Sequence, residues 1–138
     1  MSGRGRATRL TAVIAEDEVL VAEGLALELD RHGIEVLALV RTEDEAVEAT
    51  LAHAPWLVVL DVDLADGSGI GAARRLRERD GRRCVFLSGR LDAPTRRRVN
   101  ALDPLAVLSK PLLTSQLLDV VAHRLRLGDG PNAGSPRR

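Results

Sequence analysis

Short apolar runs alternate along the chain with segments in which apolar residues recur at helical spacing. Five runs are mostly continuous in apolarity, as is typical of strands buried on both faces of a parallel sheet. They are Leu10–Ala15, Ile34–Val40, Trp56–Leu60, Cys84–Leu87 and Leu105–Leu108. Each is followed by a segment with helical periodicity. The pattern therefore predicts a (βα)5 α/β fold, in which a doubly wound, five-stranded parallel sheet has helices on both faces.

The apolar spacing also predicts which face of each helix is directed inward. The inward positions are Val21, Leu25 and Leu29, then Val47, Leu51 and Ala54, then Ile70, Ala73 and Leu76, then Val99 and Leu102, and finally Leu117, Val121 and Leu125. Thr42 and Glu45 have the spacing of a capping box for the second helix. Pro94 suits the first turn of the fourth helix.

Length and composition suit one globular domain and do not indicate a nucleic-acid or membrane partner. The 138 residues are 45% hydrophobic and 29% charged, and a (βα)8 barrel would need about 250 residues. Twenty basic and twenty acidic residues give no net charge, which does not indicate a general nucleic-acid binder. One cysteine excludes an internal disulfide, and no apolar run approaches the length of about 18 residues needed to span a membrane. We expect a cytoplasmic protein.

The ends of the chain differ in composition from its middle. Residues 1–9 are basic and contain glycine, and residues 128–138 are rich in glycine and proline, which indicates a disordered arm and a flexible tail. The domain itself is expected over 10–127. On this division we expect no DNA-binding or enzymatic output domain.

Polar residues follow four of the five predicted strands at the point where each strand ends. They are Glu16, Asp17, Asp61, Asp63, Ser88 and Lys110. Because the carboxyl ends of parallel strands meet at one edge of the sheet, we expect these side chains to converge. Carboxylates are ligands that Mg²⁺ prefers, and a carboxylate can also act as a nucleophile toward phosphorus. Lys110 is the single lysine beside 19 arginines, and a compact ammonium suits one phosphoryl oxygen better than a wide guanidinium does.

Four segments carry a resemblance to a known family. They are Val-Ile-Ala-Glu-Asp-Glu at 13–18, Val-Val-Leu-Asp-Val-Asp-Leu at 58–64 followed by Gly67 and Gly69, Phe-Leu-Ser-Gly at 86–89, and Leu-Ser-Lys-Pro-Leu at 108–112. With the order of strands, they resemble the receiver domain of bacterial two-component response regulators over about 10–127. The resemblance implies the flavodoxin-like receiver fold, with strand order 2-1-3-4-5.

The resemblance also implies a role for each polar residue. Asp61 matches the phosphoacceptor, and Glu16 and Asp17 match the acidic pair that binds Mg²⁺, with Glu16 in place of the commoner Asp. Asp63 matches the position whose backbone carbonyl completes the metal shell. Ser88 matches the switch hydroxyl, and Lys110 matches the lysine that contacts the phosphoryl group.

The implied function is phosphorylation-dependent signalling. A sensor histidine kinase or a phosphotransfer protein would donate the phosphoryl group, and the domain would then present an altered surface to a downstream protein. Such a domain catalyses only its own phosphorylation and dephosphorylation, so it is not a turnover enzyme. The family also allows a homodimer through the fourth helix, the fifth strand and the fifth helix.

The sequence also allows two alternative functions. Val107 stands three residues before Lys110, where the family usually has Tyr or Phe, and this departure favours an interaction module that does not depend on phosphorylation. A Mg²⁺-dependent phosphohydrolase would use Asp61 as nucleophile and Asp63 as acid/base.

Glu18 and the three histidines, His32, His53 and His123, are interpreted as surface residues, and Cys84 as a buried apolar residue.

Overall fold

The computed structural model describes residues 9–111 and 114–128, and its elements alternate strictly between strand and helix. The strands are β1 (Leu10–Ala15), β2 (Ile34–Val40), β3 (Leu57–Asp61), β4 (Val85–Ser88) and β5 (Ala106–Ser109). The helices are α1 (Val19–Arg31), α2 (Glu43–His53), α3 (Gly69–Asp80), α4 (Ala93–Asn100) and α5 (Thr114–Arg126). All paired strands are parallel, in the order β2-β1-β3-β4-β5. The predicted fold and strand order are confirmed.

Part of the predicted organisation falls outside the described residues. The basic arm, apart from Arg9, and the tail, apart from Gly128, lie outside them, as does Leu112 at the end of the last matching segment.

Three strands begin and end one residue later than their apolar runs predict. Trp56 and Cys84 are buried but precede β3 and β4. The backbone N–H of Trp56 donates to the Thr11 hydroxyl at 3.2 Å. At the other end, Asp61 and Ser88 continue the ladder, because backbone pairing and not side-chain polarity decides where a strand ends. The polar residues of the edge are therefore held by the sheet itself.

Two apolar layers cover the two faces of the sheet. On one face, Val47 of α2, Leu76 of α3 and Val99 of α4 pack in one cluster with side chains of the sheet. On the other face, Leu29 of α1 and Leu117 of α5 belong to a second cluster. The doubly wound arrangement therefore buries β3 and β4 over their whole length, and β1 from Ala12 to Ala15.

Two predicted helix faces are partly wrong. Leu51 is 37% exposed, Ala54 lies beyond α2 with a left-handed φ of 47°, and Leu125 in the last turn of α5 is 41% exposed. The buried residues of α2 are Ala46, Val47 and Thr50. Because α2 packs beside α3 as well as on the sheet, its inward face carries small residues that apolar spacing does not identify.

Arginine side chains form hydrogen bonds with the backbone at the edge of the sheet opposite the carboxyl ends of the strands. This edge is called the amino edge below. Four of them donate to backbone carbonyls that precede β3 or β5, in the pairs Arg82–Pro55, Arg124–Trp56, Arg77–Leu102 and Arg83–Asp103. The guanidinium of Arg124 also lies 4.5 Å from the centre of the Trp56 ring. These arginines are engaged by the domain's own backbone.

Candidate functional site

The carboxyl ends of β1 and β3 bring three acidic side chains together. Asp61 is the last residue of β3, and Glu16 directly follows β1, where its N–H donates to Val40 O at 2.9 Å. Carboxylate oxygens of Glu16, Asp17 and Asp61 all lie within 4.8 Å of one another. The convergence expected from the parallel topology is therefore present at this edge.

Lys110 joins this acidic group from the end of β5. Its Nζ lies 2.8 Å from Asp61 Oδ2, 2.8 Å from Glu16 Oε1 and 3.0 Å from Glu18 Oε1. Its backbone N–H donates to Ser88 O at 2.9 Å, and the Lys110–Pro111 peptide is cis. Burial alone would lower the pKa of Lys110, but its contacts with Asp61, Glu16 and Glu18 outweigh this and raise the pKa above its usual value. The ammonium therefore stays charged.

Glu16 is the most deeply buried acid of the group, with 1% of its surface exposed. Its Oε2 accepts the Glu18 N–H at 3.0 Å, while Oε1 meets Lys110 as an ion pair without hydrogen-bond geometry. The pKa of Glu16 is raised to about 7, mainly by burial and also by Asp61, although Lys110 and the Glu18 N–H lower it in part. One ammonium thus incompletely compensates two buried carboxylates.

Asp63 contacts Asp61 through its backbone. The Asp63 N–H donates to Asp61 Oδ1 at 3.1 Å, so both oxygens of Asp61 are hydrogen-bonded, one to this N–H and one to Lys110. The Asp63 residue itself is exposed, and Val62 is tied to β4 by an N–H that donates to Leu87 O. The loop that follows β3 therefore holds the Asp61 side chain in place.

Ser88 is buried at the end of β4, one residue beyond the β4 partner of Asp61. Its hydroxyl donates to Arg90 O at 2.6 Å and accepts the Arg90 N–H at 3.0 Å. The hydroxyl is thus engaged with its own loop. Val107 pairs with Phe86 in the sheet and is half-buried against the cluster that contains Val47, Leu76 and Val99.

Two acidic residues contribute more than sequence reasoning predicts. The Glu18 side chain is 62% exposed, as expected of a surface residue, but it also contacts Lys110. Glu43, at the start of α2, contacts the loop between β3 and α3. The only sequence signal for the Glu43 contact is a pair of glycines four residues apart, Gly67 and Gly71, on which the side chain rests. The three histidines are exposed, as predicted, and Cys84 is buried, as predicted.

The donor set fits a hard divalent cation. Glu16, Asp17 and Asp61 offer clustered carboxylate oxygens, and the repulsion between them is relieved by added positive charge. Mg²⁺ is usually bound through one or two carboxylates and keeps several waters in its other positions. These three side chains, with the Asp63 carbonyl beside them in sequence, are the residues that could hold it.

Five parallel strands in this order, with an acidic edge closed by a lysine, define an α/β domain of the receiver class. The family model "Response regulator receiver domain" matches residues 12–122, and the chain belongs to this family, the receiver domains of two-component systems. The predicted resemblance is confirmed. In the part of the chain that is described, no helix is both long and apolar enough to cross a membrane.

Curated relatives share about a third of their aligned residues with this chain. The transcriptional regulatory protein PdtaR of Mycobacterium tuberculosis (strain H37Rv) is 31% identical over 109 residues, which are 79% of this chain and 53% of PdtaR. A protein-glutamate methylesterase/protein-glutamine glutaminase of Haloarcula marismortui is 32% identical over 96 residues, which are 70% of this chain and 26% of that protein. The chain therefore spans about half the length of the first relative and a quarter of the second.

Solved structures agree on the fold. The signal receiver domain of a modulated diguanylate cyclase from Desulfovibrio desulfuricans G20 superposes with a TM-score of 0.76 and 25% identity, over 86% of this chain and 97% of that one. A CheY-like receiver domain protein from Methanospirillum hungatei JF-1 superposes with a TM-score of 0.80 and 17% identity, over 87% and 96% of the two chains.

Proposed function

We propose that this protein is a phosphorylation-dependent signalling switch whose phosphoacceptor is Asp61. A histidine kinase or a phosphotransfer protein donates the phosphoryl group in a Mg²⁺-dependent reaction. The observation that carries the proposal is the environment of Asp61, a nearly buried carboxylate 2.8 Å from Lys110 and clustered with Glu16 and Asp17. Membership of the receiver family supports the same assignment.

The transfer is a substitution at phosphorus. An Asp61 oxygen attacks the phosphorus of phosphohistidine and forms a P–O bond, while the P–N bond breaks and the imidazole departs with the bonding electrons, neutral once it carries one proton. Bound Mg²⁺ supplies positive charge for the phosphoryl oxygens. Glu16, Asp17 and the Asp63 carbonyl would hold the ion, and the Asp61 carboxylate would be a further ligand.

Lys110 and Ser88 would contact the remaining phosphoryl oxygens. Lys110 already contacts Asp61, so its ammonium needs only a small displacement to pair with a group attached there. Ser88 must exchange its hydrogen bonds with Arg90 for one to the phosphoryl group. That exchange releases the loop that leads to α4, and a shift of this loop would alter a surface read by a downstream protein.

The domain would return to its first state by hydrolysis of its own acyl phosphate, so its chemistry is that of a switch and not of a turnover enzyme. We keep three predictions from the family: a downstream protein partner, a homodimer through α4, β5 and α5, and a cytoplasmic location.

Intact mass spectrometry tests the assignment directly. The protein is incubated with phosphoramidate, with Mg²⁺ or with EDTA, as wild type, Asp61→Asn and Asp63→Asn. We expect one phosphoryl adduct that requires Mg²⁺, disappears in Asp61→Asn and persists in Asp63→Asn. A folded wild type without an adduct would contradict the proposal. Steady turnover of a small phosphate ester that is lost in Asp63→Asn would instead indicate a phosphohydrolase.

The presence of Val107 favours one second candidate, a receiver that binds its partner independently of phosphorylation. Val107 cannot provide an aromatic side chain that changes position when Ser88 moves. Equal partner affinity for the wild type treated with phosphoramidate and for Asp61→Asn would favour this candidate.

A further inference from the structure

Glu43, at the first position of α2, reaches across to the loop between β3 and α3. Its Oε1 accepts the Ser68 N–H at 3.0 Å, and its own backbone N–H donates to Asp66 O at 2.9 Å. Its Oε2 accepts from Arg75 of α3 at 3.1 Å. One residue therefore ties the start of α2 to the loop and to the helix that follows it.

Two glycines make room for this carboxylate. A Cβ on Gly67 would overlap Glu43 Cβ, and a Cβ on Gly71 would overlap Glu43 Oε1. Gly67 also has a φ of 80°, which an L side chain rarely adopts. The Glu43 side chain thus lies in a close-fitting cradle and has little freedom to move.

The local electrostatics favour the same position. No acidic residue is present in the first turn of α3, where unpaired N–H groups and the helix dipole attract negative charge. Glu43 supplies that charge from a neighbouring helix, at the N–H of Ser68, the N-cap of α3. The Ser68 hydroxyl accepts the Gly71 N–H at 2.9 Å, so side chain and backbone of Ser68 are both engaged.

A short path leads from Ser68 to the acidic site. Ser68 forms an antiparallel bridge with Asp63, and the Gly69 N–H donates to Val62 O at 3.0 Å. The Asp63 N–H in turn donates to Asp61. The loop thus folds back on itself directly beside the phosphoacceptor, and Glu43 binds it at the point where it returns.

We propose that Glu43 is a positioning residue for the metal site. Glu43 acts through its hydrogen bond with Ser68, which fixes the backbone at Asp63. The inference rests on the proposed function, because it assumes that the Asp63 carbonyl completes the Mg²⁺ shell. Glu43 fixes this segment before the ion arrives, so that binding does not have to order it.

Calorimetric titration of metal-free protein with Mg²⁺ measures the effect without any reaction. Because outer-shell contacts can influence metal affinity by one to two orders of magnitude, we expect Glu43→Ala to weaken Mg²⁺ binding by about five- to tenfold. Asp44→Ala is the matched control, since Asp44 is the next residue, is 79% exposed and shares the ion pair with Arg75, but its hydrogen bonds do not reach the loop. We expect the affinity of Asp44→Ala to stay within about twofold of wild type.

Two further variants separate the hydrogen bond from the overall fold. Glu43→Gln keeps an acceptor for the Ser68 N–H and should restore most of the affinity. Gly71→Ala displaces the carboxylate without altering Glu43, so it should weaken Mg²⁺ binding as well. Because both variants break the same contact, the double variant Glu43→Ala/Gly71→Ala should bind no more weakly than Glu43→Ala alone.

Amide hydrogen exchange in the metal-free protein supplies a readout that does not involve the ion. We expect faster exchange at the Ser68 N–H in Glu43→Ala and unchanged exchange in Asp44→Ala. If Glu43→Ala binds Mg²⁺ like wild type while its melting temperature falls, Glu43 is only structural and the inference is wrong. If the wild type binds no Mg²⁺, the proposed function itself fails.

Discussion

The ammonium of Lys110 lies 2.8 Å from Oδ2 of Asp61, so the end of β5 contacts the end of β3 across the intervening strand β4. The same ammonium contacts Glu16 and Glu18. Lys110 therefore supplies the positive charge that the buried carboxylates of Glu16 and Asp61 need when no divalent cation is bound. A cation and Lys110 then compete for part of the same negative charge.

Replacement of Lys110 by Met should tighten Mg²⁺ binding. Removal of one positive charge a few ångströms from the carboxylates leaves more negative charge for the ion, and we expect an affinity about tenfold higher. The metal-free variant should be less stable than wild type, because two buried carboxylates lose their partner. Calorimetry with Mg²⁺ and urea unfolding in EDTA measure the two effects. Weaker Mg²⁺ binding would show that Lys110 orders the carboxylates for the ion.

The stability of the metal-free protein should depend on the ionisation of Glu16. The folded state raises the pKa of this carboxyl from about 4.5 to about 7, mainly by burial. The folded state therefore binds the proton more tightly than the unfolded state, and the contribution of Glu16 is complete below pH 4.5 and is lost as the pH rises through 7. The loss amounts to about 3 kcal/mol at most.

Urea unfolding in EDTA between pH 5 and pH 8 checks this dependence, with Glu16→Gln as the reference that does not titrate. We expect the stability of wild type relative to Glu16→Gln to fall across this range. A constant difference would contradict the shift.

Ser88→Ala should separate phosphorylation from its structural response. Asp61 and the acidic pair are unchanged, so the phosphoryl adduct should still form. The loop at residues 89–92 should lose its phosphorylation-linked change in hydrogen exchange, because the hydroxyl that links it to the phosphoryl group is absent. Ser109→Ala is the control, since Ser109 pairs with Ser88 in the sheet but is exposed. A normal response in Ser88→Ala would exclude the hydroxyl from the switch.

Gly69→Ala should destabilise the domain. An added Cβ would overlap the backbone oxygen of Asp61, and relief of that overlap requires movement of the strand end, at a cost of about 1–3 kcal/mol. Gly24→Ala in α1 is the opposite case, because beyond the chain neighbours and the backbone of α1 itself no atom lies within 4 Å of the added Cβ. This second variant should gain about 0.5–1 kcal/mol from helix propensity. Equal changes in the two urea midpoints would contradict this reading of the loop.

Cys84 should be inert in the folded protein. Burial raises the pKa of its thiol to about 12 from an ordinary value of 9, so the thiolate that reacts with disulfide reagents is about a thousandfold rarer at neutral pH. The rate at which Cys84 reacts should therefore follow the rate at which the fold opens around it. Time courses of the reaction at increasing urea concentration measure this rate. Rapid reaction in the absence of urea would contradict the burial.

Sequence patterns predict the architecture well because burial on both faces requires continuous apolarity, and because parallel strands place their carboxyl ends at one edge. Asp61 and Lys110 could be assigned to one site on these grounds. The contacts of Glu18 and Glu43 could not, because each depends on the relative position of segments far apart in sequence. The inward face of α2 departs from the apolar spacing for a related reason, because α3 packs beside α2 and a small residue such as Thr50 is buried there.

The arginines at the amino edge give the sheet two unequal ends. Arg82 and Arg124 bind the carbonyls that lead into β3, whereas the opposite ends of the strands carry titratable side chains and loops. A structural change that starts at Asp61 is therefore resisted at the amino edge, where arginines hold the backbone in place. The loops that follow β3 and β4 accommodate the change, so the movement is confined to one edge of the sheet.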